Sequence, residues 1–86
     1  MTKTIYKYTL ERDIQSLSAP VGAKWLCARE QGNDTCVWAE VDPNEKDLML
    51  YDFKVYRTGE PFKAGGKYLG TCFFSGDIYV LHVYLK

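Results

Sequence analysis

The chain has 86 residues, and its 11 lysine and arginine residues balance its 11 aspartate and glutamate residues. The length fits one domain over residues 1–86, and a composition that is 47% hydrophobic and 15% aromatic excludes a disordered tail. A net charge of zero gives no general attraction to phosphate backbones or anionic lipids, so nucleic acid is not an expected partner.

The opening residues contain lysines and no uninterrupted apolar run, so no secretory signal is predicted. No stretch of the sequence reaches the length of a transmembrane helix. The cysteines Cys27, Cys36 and Cys72 are odd in number and lack C-x-x-C spacing, which is typical of free thiols in a reducing compartment. We therefore expect a soluble intracellular protein without a membrane partner.

Short segments in the first half of the chain have the pattern of strands. Residues 4–10 alternate and are rich in tyrosine and β-branched side chains. Residues 10–17 have apolar side chains at helical spacing, but a helix of two turns is marginal, so we predict a turn followed by a short strand. Residues 23–29 and 35–41 flank a dense turn signal at residues 31–34, and together they predict a hairpin.

The second half continues in the same way. Residues 48–56 alternate cleanly enough to predict one buried face and one half-solvated face. Residues 68–74 and 78–85 predict a final hairpin that turns about Gly76. Six to seven short strands at intervals of about ten residues predict an all-β fold, either a small antiparallel sandwich or a small barrel.

The only histidine, His82, lies in the last predicted strand. A hairpin turning about Gly76 would place it opposite Gly70, with Cys72 one diagonal step away. A Cys–His pair could activate a thiolate, but the sequence offers no orienting third group. We therefore predict a structural His82, hydrogen-bonded inside the core or at its rim, with its ring in the space that Gly70 leaves.

Other functional constellations are incomplete. Residues 42–47 carry oxygen ligands but lack the spacing and glycine of a calcium loop, so a solvated turn is predicted. Residues 64–67, Ala-Gly-Gly-Lys, lack the first glycine and the hydroxyl residue of a phosphate-binding loop. No catalytic residue, metal or cofactor is predicted, and the chain is not expected to be an enzyme.

Aromatic side chains are numerous for a core this small, and some of them are expected to reach the surface. Tyrosine and tryptophan are favoured at interfaces. Binders of single-stranded nucleic acid also use aromatic rings, but interleave them with a basic groove, which the neutral charge argues against. The candidate partner-binding residues are Trp25, Trp38, Tyr56 and Tyr79, with the cations Lys54 and Arg57.

Six short motifs follow one another along the chain. They are Thr4–Leu10 (T-I-Y-K-Y-T-L), Pro20-Val21-Gly22-Ala23-Lys24, Cys36-Val37-Trp38-Ala39-Glu40-Val41-Asp42-Pro43, Thr58-Gly59-Glu60-Pro61, Tyr68-Leu69-Gly70-Thr71 and His82-Val83. In these motifs and their order the chain resembles a family of small bacteriophage proteins of unknown function. The resemblance implies a phage gene product in the cytoplasm of a bacterial host, and it implies no reaction.

The chain departs from that family at two places. Members often have histidine where Glu60 stands, and a Leu-His-Gly-Gly turn where this chain has Phe74-Ser75-Gly76-Asp77. Roles that rest on those histidines therefore do not carry over to this chain.

Two kinds of binding function remain. The first is stoichiometric contact with a host protein or protein complex, for example an antiviral defence system, through exposed rings on a sheet face or an open sheet edge. The alternative is a protein that binds or sequesters a nucleotide signal by aromatic stacking and cationic side chains. The cations available to such a pocket are Lys54, Arg57, Lys63 and Lys67.

A homodimer is a further possibility, because the last predicted strand is apolar on both faces. If the domain itself does not cover one of these faces, a second chain is expected to do so. The side chains on that face are Tyr79, Leu81, Val83 and Leu85.

Overall fold

The computed structural model describes residues 2–86, which form seven strands in two sheets. The predicted all-β fold is confirmed, and of the two architectures considered the chain adopts the sandwich. No helix in the described residues has the length and apolarity needed to cross a lipid bilayer. The strands are β1 (Thr4–Leu10), β2 (Ile14–Pro20), β3 (Lys24–Gln31), β4 (Asp34–Val41), β5 (Leu48–Arg57), β6 (Lys67–Phe74) and β7 (Tyr79–Leu85).

A three-stranded sheet in the order β1-β4-β3 packs on a four-stranded sheet in the order β2-β5-β7-β6, and neighbouring strands are antiparallel. The predicted hairpin of β3 and β4 is confirmed. Its Gly32 has a φ of 60°, which suits the first central position of a type II′ turn. The chain bends at Arg12 and Asp13 and continues as β2, so the prediction of a turn and short strand at residues 10–17 is also confirmed.

The hydrophobic core lies between the two sheets and is centred on Trp25, which is 2% exposed. The rings of Tyr8, Tyr51 and Phe53 surround it at centroid distances of 5.2, 5.4 and 4.8 Å. Alternate residues of β4 from Val37 to Val41 face the same core and are fully buried. The period-two pattern of the strands thus determines which side chains fill the sandwich.

The last strand supplies the core with one face only. Leu81, Val83 and Leu85 belong to or pack against the core, and Val83 is fully buried. Tyr79, at the start of β7, remains 60% exposed. The rest of the domain therefore covers the greater part of this face, and a second chain is not needed there.

The register of the final hairpin differs from the prediction by one residue. A four-residue loop, Ser75–Ile78, contains three successive residues with positive φ, so β7 begins at Tyr79. His82 consequently lies opposite Thr71. The predicted pairing of His82 with Gly70 is wrong, because the loop is one residue longer than the three-residue turn that the prediction assumed.

The two sheets approach each other most closely along β3 and β6. A Cβ atom built at Gly70 would lie 2.1 Å from the backbone oxygen of Ala28. Beside this contact, the Phe73 N–H donates a 2.8 Å hydrogen bond to Oε1 of Glu30. The opposite side of the sandwich is formed by β1 and β2, whose outer edges pair with no strand of the described residues.

Candidate functional site

The outward face of the four-stranded sheet carries four aromatic side chains in mutual contact, which we call the ring cluster: Tyr56, Phe62, Tyr68 and Tyr84. Tyr56 and Phe62 stack with ring centroids 4.1 Å apart and planes inclined by 22°. The Tyr84 ring lies 5.6, 5.4 and 5.4 Å from those of Tyr56, Phe62 and Tyr68. Stacked and tilted pairs are geometries that aromatic rings prefer, so the rings hold one another in place.

Strand pairing assembles three of these rings. Tyr84 in β7 lies opposite Tyr68 in β6 and opposite Lys54 in β5. This register places Tyr56 diagonally from Tyr84, within reach of an aromatic ring. Phe62 belongs to the segment between β5 and β6, and its stacking on Tyr56 brings that segment over the sheet face.

The ring cluster combines accessible and supported rings. Phe62 is 45% exposed and Tyr68 is 53% exposed, whereas Tyr56 and Tyr84 are half-buried. Lys54 Nζ lies 5.3 Å from the centroid of the Tyr56 ring, within cation–π range. Exposed rings on a supported base, bordered by a cation, have the composition of binding hot spots.

His82 lies on the same outward face, half-buried beside the ring cluster. Its Nε2 is 2.8 Å from Oγ1 of Thr58, and its Nδ1 is 3.1 Å from Oγ1 of Thr71. Thr71 in turn hydrogen-bonds the hydroxyl of Tyr68. His82 is therefore hydrogen-bonded, as predicted, but it links β7 to its surroundings on the outward face and does not fill the core.

Cys72 and His82 lie on opposite faces of the four-stranded sheet. Cys72 points into the core and is fully buried. Burial raises the pKa of its thiol to about 11, with smaller contributions from Glu30 and Cys36. A neutral thiol in the core and an imidazole on the outward face do not form a nucleophilic pair.

A cleft of about 390 Å³ lies at one end of the sandwich, where the turns after β1 and β3 meet the end of β5 and the final hairpin. Arg57 and Tyr79 line it. Arg57 Nη1 lies 2.6 Å from Oδ2 of Asp13, and this hydrogen bond and charge raise the pKa of Arg57. Glu11 and Asp34 also line the cleft, so its one lining arginine shares the cleft with two carboxylates.

Trp38 lies on the outward face of the three-stranded sheet. A register irregularity between Trp25 and Cys27 places Leu26 and Cys27 consecutively on that face. Together with Ile5 they form an apolar hollow of about 330 Å³ beside Trp38. Trp38 therefore lies on the opposite sheet from the ring cluster and does not line the cleft.

The structure corrects one of the predicted contact residues. Trp25 was expected at a partner surface, but three aromatic neighbours enclose it in the core, and it is unavailable to a partner. The other predicted residues divide among three surfaces: Tyr56 and Lys54 at the ring cluster, Arg57 and Tyr79 at the cleft, and Trp38 on the three-stranded sheet.

Sequence reasoning missed Phe62, Tyr68 and Tyr84 as members of a shared surface. Their aromatic character is visible in the sequence, but only the strand order β5-β7-β6 brings them beside Tyr56. Phe62 follows a proline in a segment without strand pattern, and nothing in that local sequence indicates which face it covers.

The acidic segment at residues 42–47 is a hydrogen-bonded turn, as predicted. Asp42 Oδ1 accepts a hydrogen bond from the Asn44 N–H, and Glu45 Oε2 accepts one from the Asp47 N–H. Over residues 2–86, no three histidine, cysteine, aspartate or glutamate side chains are grouped in a way that could hold a metal ion.

Comparison with known proteins identifies the family of the chain. A family model described as a domain of unknown function (DUF7352) matches residues 1–86. No curated protein and no solved structure matches the chain. Since the family model extends over the whole sequence, the chain belongs to the family of the domain of unknown function DUF7352.

Proposed function

We propose that this protein acts without catalysis, by stoichiometric contact between the ring cluster and a macromolecular partner. The observation that carries the proposal is the pair of exposed rings, Phe62 and Tyr68, supported by half-buried Tyr56 and Tyr84. Side chains that are already held in place lose little conformational entropy on binding, which favours affinity.

A protein fits this surface better than a nucleic acid does. Binders of single strands line their aromatic platforms with a basic groove. In the described residues, Lys54 makes the one cation–ring contact. The resemblance to small phage proteins supports a host protein as the partner, with the bacterial cytoplasm as the setting and inhibition of an antiviral defence complex as the role.

Affinity capture from extracts of the bacterial host tests this proposal. The bait variants are the wild type, a Phe62→Ala/Tyr68→Ala variant, and an Ile5→Ala/Leu26→Ala control on the other sheet. The control removes apolar side chains of similar exposure, 59% and 40% against 45% and 53%. We expect the wild type and the control to retain one protein in stoichiometric amount and the ring variant to lose it. Loss by the control alone would contradict the proposal.

The cleft favours a second candidate function, the binding of a nucleotide signal. Its volume lies within the range of ligand pockets, and Tyr79 could stack on a base beside Arg57. Arg57 is already paired with Asp13, and carboxylates line the cleft, so an anionic ligand fits less well than a protein fits the ring cluster. Calorimetric titration with cyclic dinucleotides tests this alternative: binding that Arg57→Ala abolishes would support it, and no binding to the wild type would exclude these ligands.

A further inference from the structure

The edge strand β2 has a row of backbone groups that point away from its sheet. The Val55 N–H donates to the carbonyl of Asp13, and the Val21 N–H donates to that of Asp47, at 2.7 and 2.9 Å. The backbone N–H and C=O groups of successive residues in an antiparallel strand point to opposite sides. In β2 the groups of the odd-numbered residues therefore bond to β5, and the groups of the even-numbered residues Ile14, Ser16 and Ser18 point away from the sheet. Across the described part of the chain, no strand pairs with this outer side of β2.

Over residues 14–19 this edge lacks the features that usually protect an edge strand from another chain. Charged side chains, bulges and proline are the common devices. Residues 14–19, I-Q-S-L-S-A, carry no charge, their register is regular, and proline comes only at position 20. The other open edge strand, β1, carries Lys7, whereas β3 and β6 cover each other. Two surface hollows of about 310 and 350 Å³ share residues 14–16 as lining, so the edge is accessible.

A second copy of β2 complements this edge in an antiparallel register centred on Leu17. With Leu17 of both copies on a two-fold axis, Ser16 of each chain lies opposite Ser18 of the other chain. In this register the unpaired backbone groups of one copy face the unpaired backbone groups of the other, so they can form hydrogen bonds. If the register between the two copies shifted by one residue, the unpaired backbone groups of one copy would face residues of the other whose backbone groups already bond to β5. A shift of two residues would place Gln15 or Ala19 opposite Leu17, which buries less apolar surface.

The same register covers apolar side chains that are exposed or partly exposed in one chain. Leu17 packs at the margin of the core and is half-buried. In the dimer it would contact its own counterpart. Ile14, which is 66% exposed, would lie opposite Pro20 of the second copy, and Leu48 of that copy, which is 62% exposed, lies beside Pro20 on the next strand.

We propose that the protein forms a homodimer through β2, in which the two four-stranded sheets join into one continuous sheet across a two-fold axis. About four backbone hydrogen bonds form between the Ser16 and Ser18 positions, two in each pair. The two-fold axis keeps both outward faces on the same side, so the dimer presents two ring clusters together. The inference rests on the β2 edge and does not depend on what the ring cluster binds.

Sedimentation velocity across micromolar to millimolar concentrations tests the dimer with two matched variants. Ser16→Pro removes an outward-facing N–H but no hydrogen bond to β5, and an edge strand tolerates proline at such a position. Ser16→Ala is the control, because both variants lose the 2.5 Å hydrogen bond from Ser16 Oγ to Asp52 Oδ1 and only proline removes the N–H. We expect the wild type and Ser16→Ala to reach the mass of two chains, and Ser16→Pro to keep the mass of one.

Amide hydrogen exchange of the wild type gives a second test that requires no variant. The amides of Ser16 and Ser18 should be protected in concentrated protein and should lose protection on dilution. The amides of Gln15 and Leu17 should stay protected at both concentrations, because they bond within the sheet. A wild type that stays monomeric, a Ser16→Pro dimer, or a dimer with freely exchanging Ser16 and Ser18 amides would each overturn the proposal.

Discussion

Gly70 in β6 lies directly against the backbone of Ala28 in β3, and the space between them admits no side chain. A Cβ atom at position 70 would lie 2.1 Å from the Ala28 carbonyl oxygen and 3.0 Å from its carbonyl carbon. The obstructing atoms belong to the backbone, so relief would require a strand to move. Gly70 therefore allows the two sheets to approach, and it does not make room for His82.

Replacement of Gly70 tests this contact. Gly70→Ala should lower the free energy of unfolding by about 3 kcal/mol, the upper part of the range for overpacking. Gly32→Ala is the control, since a Cβ there meets nothing, and only its φ of 60° opposes the change. The control should cost about 1 kcal/mol. Urea denaturation measures the free energy of unfolding of both variants. If Gly70→Ala lost no more stability than Gly32→Ala, the close approach of β6 to β3 at Gly70 would be contradicted.

His82 links β7 to β6 and to the turn after β5 on the outward face, and its removal should affect stability. His82→Ala loses hydrogen bonds to Thr58 and Thr71, which lie 2.8 and 3.1 Å away. Each hydrogen bond contributes about 1 kcal/mol to stability, so we expect the free energy of unfolding, measured by urea denaturation, to fall by about 1–2 kcal/mol. His82→Gln keeps polar atoms at the site and should lose less. Equal stability of His82→Ala and wild type would show that these bonds contribute nothing.

Cys72 should make stability depend on alkaline pH. Its pKa is raised from 9.0 to about 11 in the folded chain, because burial disfavours the thiolate. As the pH rises, the thiol loses its proton in the unfolded chain before it does so in the folded chain. The contribution of this thiol to the free energy of unfolding is therefore complete below pH 9 and declines by roughly 3 kcal/mol as the pH approaches 11. Cys72→Ala should lack this decline in urea denaturation at a series of pH values.

The comparison of the two proteins provides the internal reference for that experiment. Burial raises the pKa of Tyr8, and this side chain is present in both proteins. The difference between wild type and Cys72→Ala isolates the thiol. An identical alkaline decline in the two proteins would show that Cys72 does not contribute to it.

Glu30 should make stability depend on acidic pH. The hydrogen bond from the Phe73 N–H, followed by that from Arg29, lowers the pKa of its carboxyl. A lowered pKa stabilises the fold above the ordinary pKa of glutamate, and this contribution is lost as the pH falls through the folded value. Glu30→Gln retains an acceptor for Phe73 but has no proton to gain.

Thermal denaturation at decreasing pH measures this effect. The melting temperature of the wild type should fall more steeply with acid than that of Glu30→Gln. Arg29→Ala should weaken the dependence only in part, because the Phe73 hydrogen bond is the larger cause of the lowered pKa. Parallel curves for wild type and Glu30→Gln would contradict the role of this carboxylate.

The strands and the buried face of β5 follow from the sequence, since alternation and turn residues are local signals. Strand order and register do not, because they depend on loop length and bulges. Because the loop before Tyr79 has one residue more than predicted, His82 pairs with Thr71 and not with Gly70. A bulge between Tyr68 and Gly70 likewise has no sequence signal of its own.

The ring cluster could be predicted only in part for the same reason. Tyr56 and Lys54 share a face of one strand, and their spacing shows it. Tyr68 and Tyr84 join them through pairing between strands, and Phe62 joins through a segment without regular structure. Trp25 was misassigned because a large aromatic side chain in a strand is equally typical of a core and of an interface.

The central claim is that Phe62 and Tyr68 form the contact surface for a protein partner. Calorimetric titration of the captured partner tests it most directly, with Phe62→Ala, Tyr68→Ala and Trp38→Ala compared with the wild type. Hot-spot truncations cost about 2 kcal/mol or more, so each ring-cluster variant should weaken binding about 30-fold or more. Trp38→Ala, on the other sheet, should leave the affinity within about twofold. Binding by both ring-cluster variants at wild-type affinity would contradict the claim.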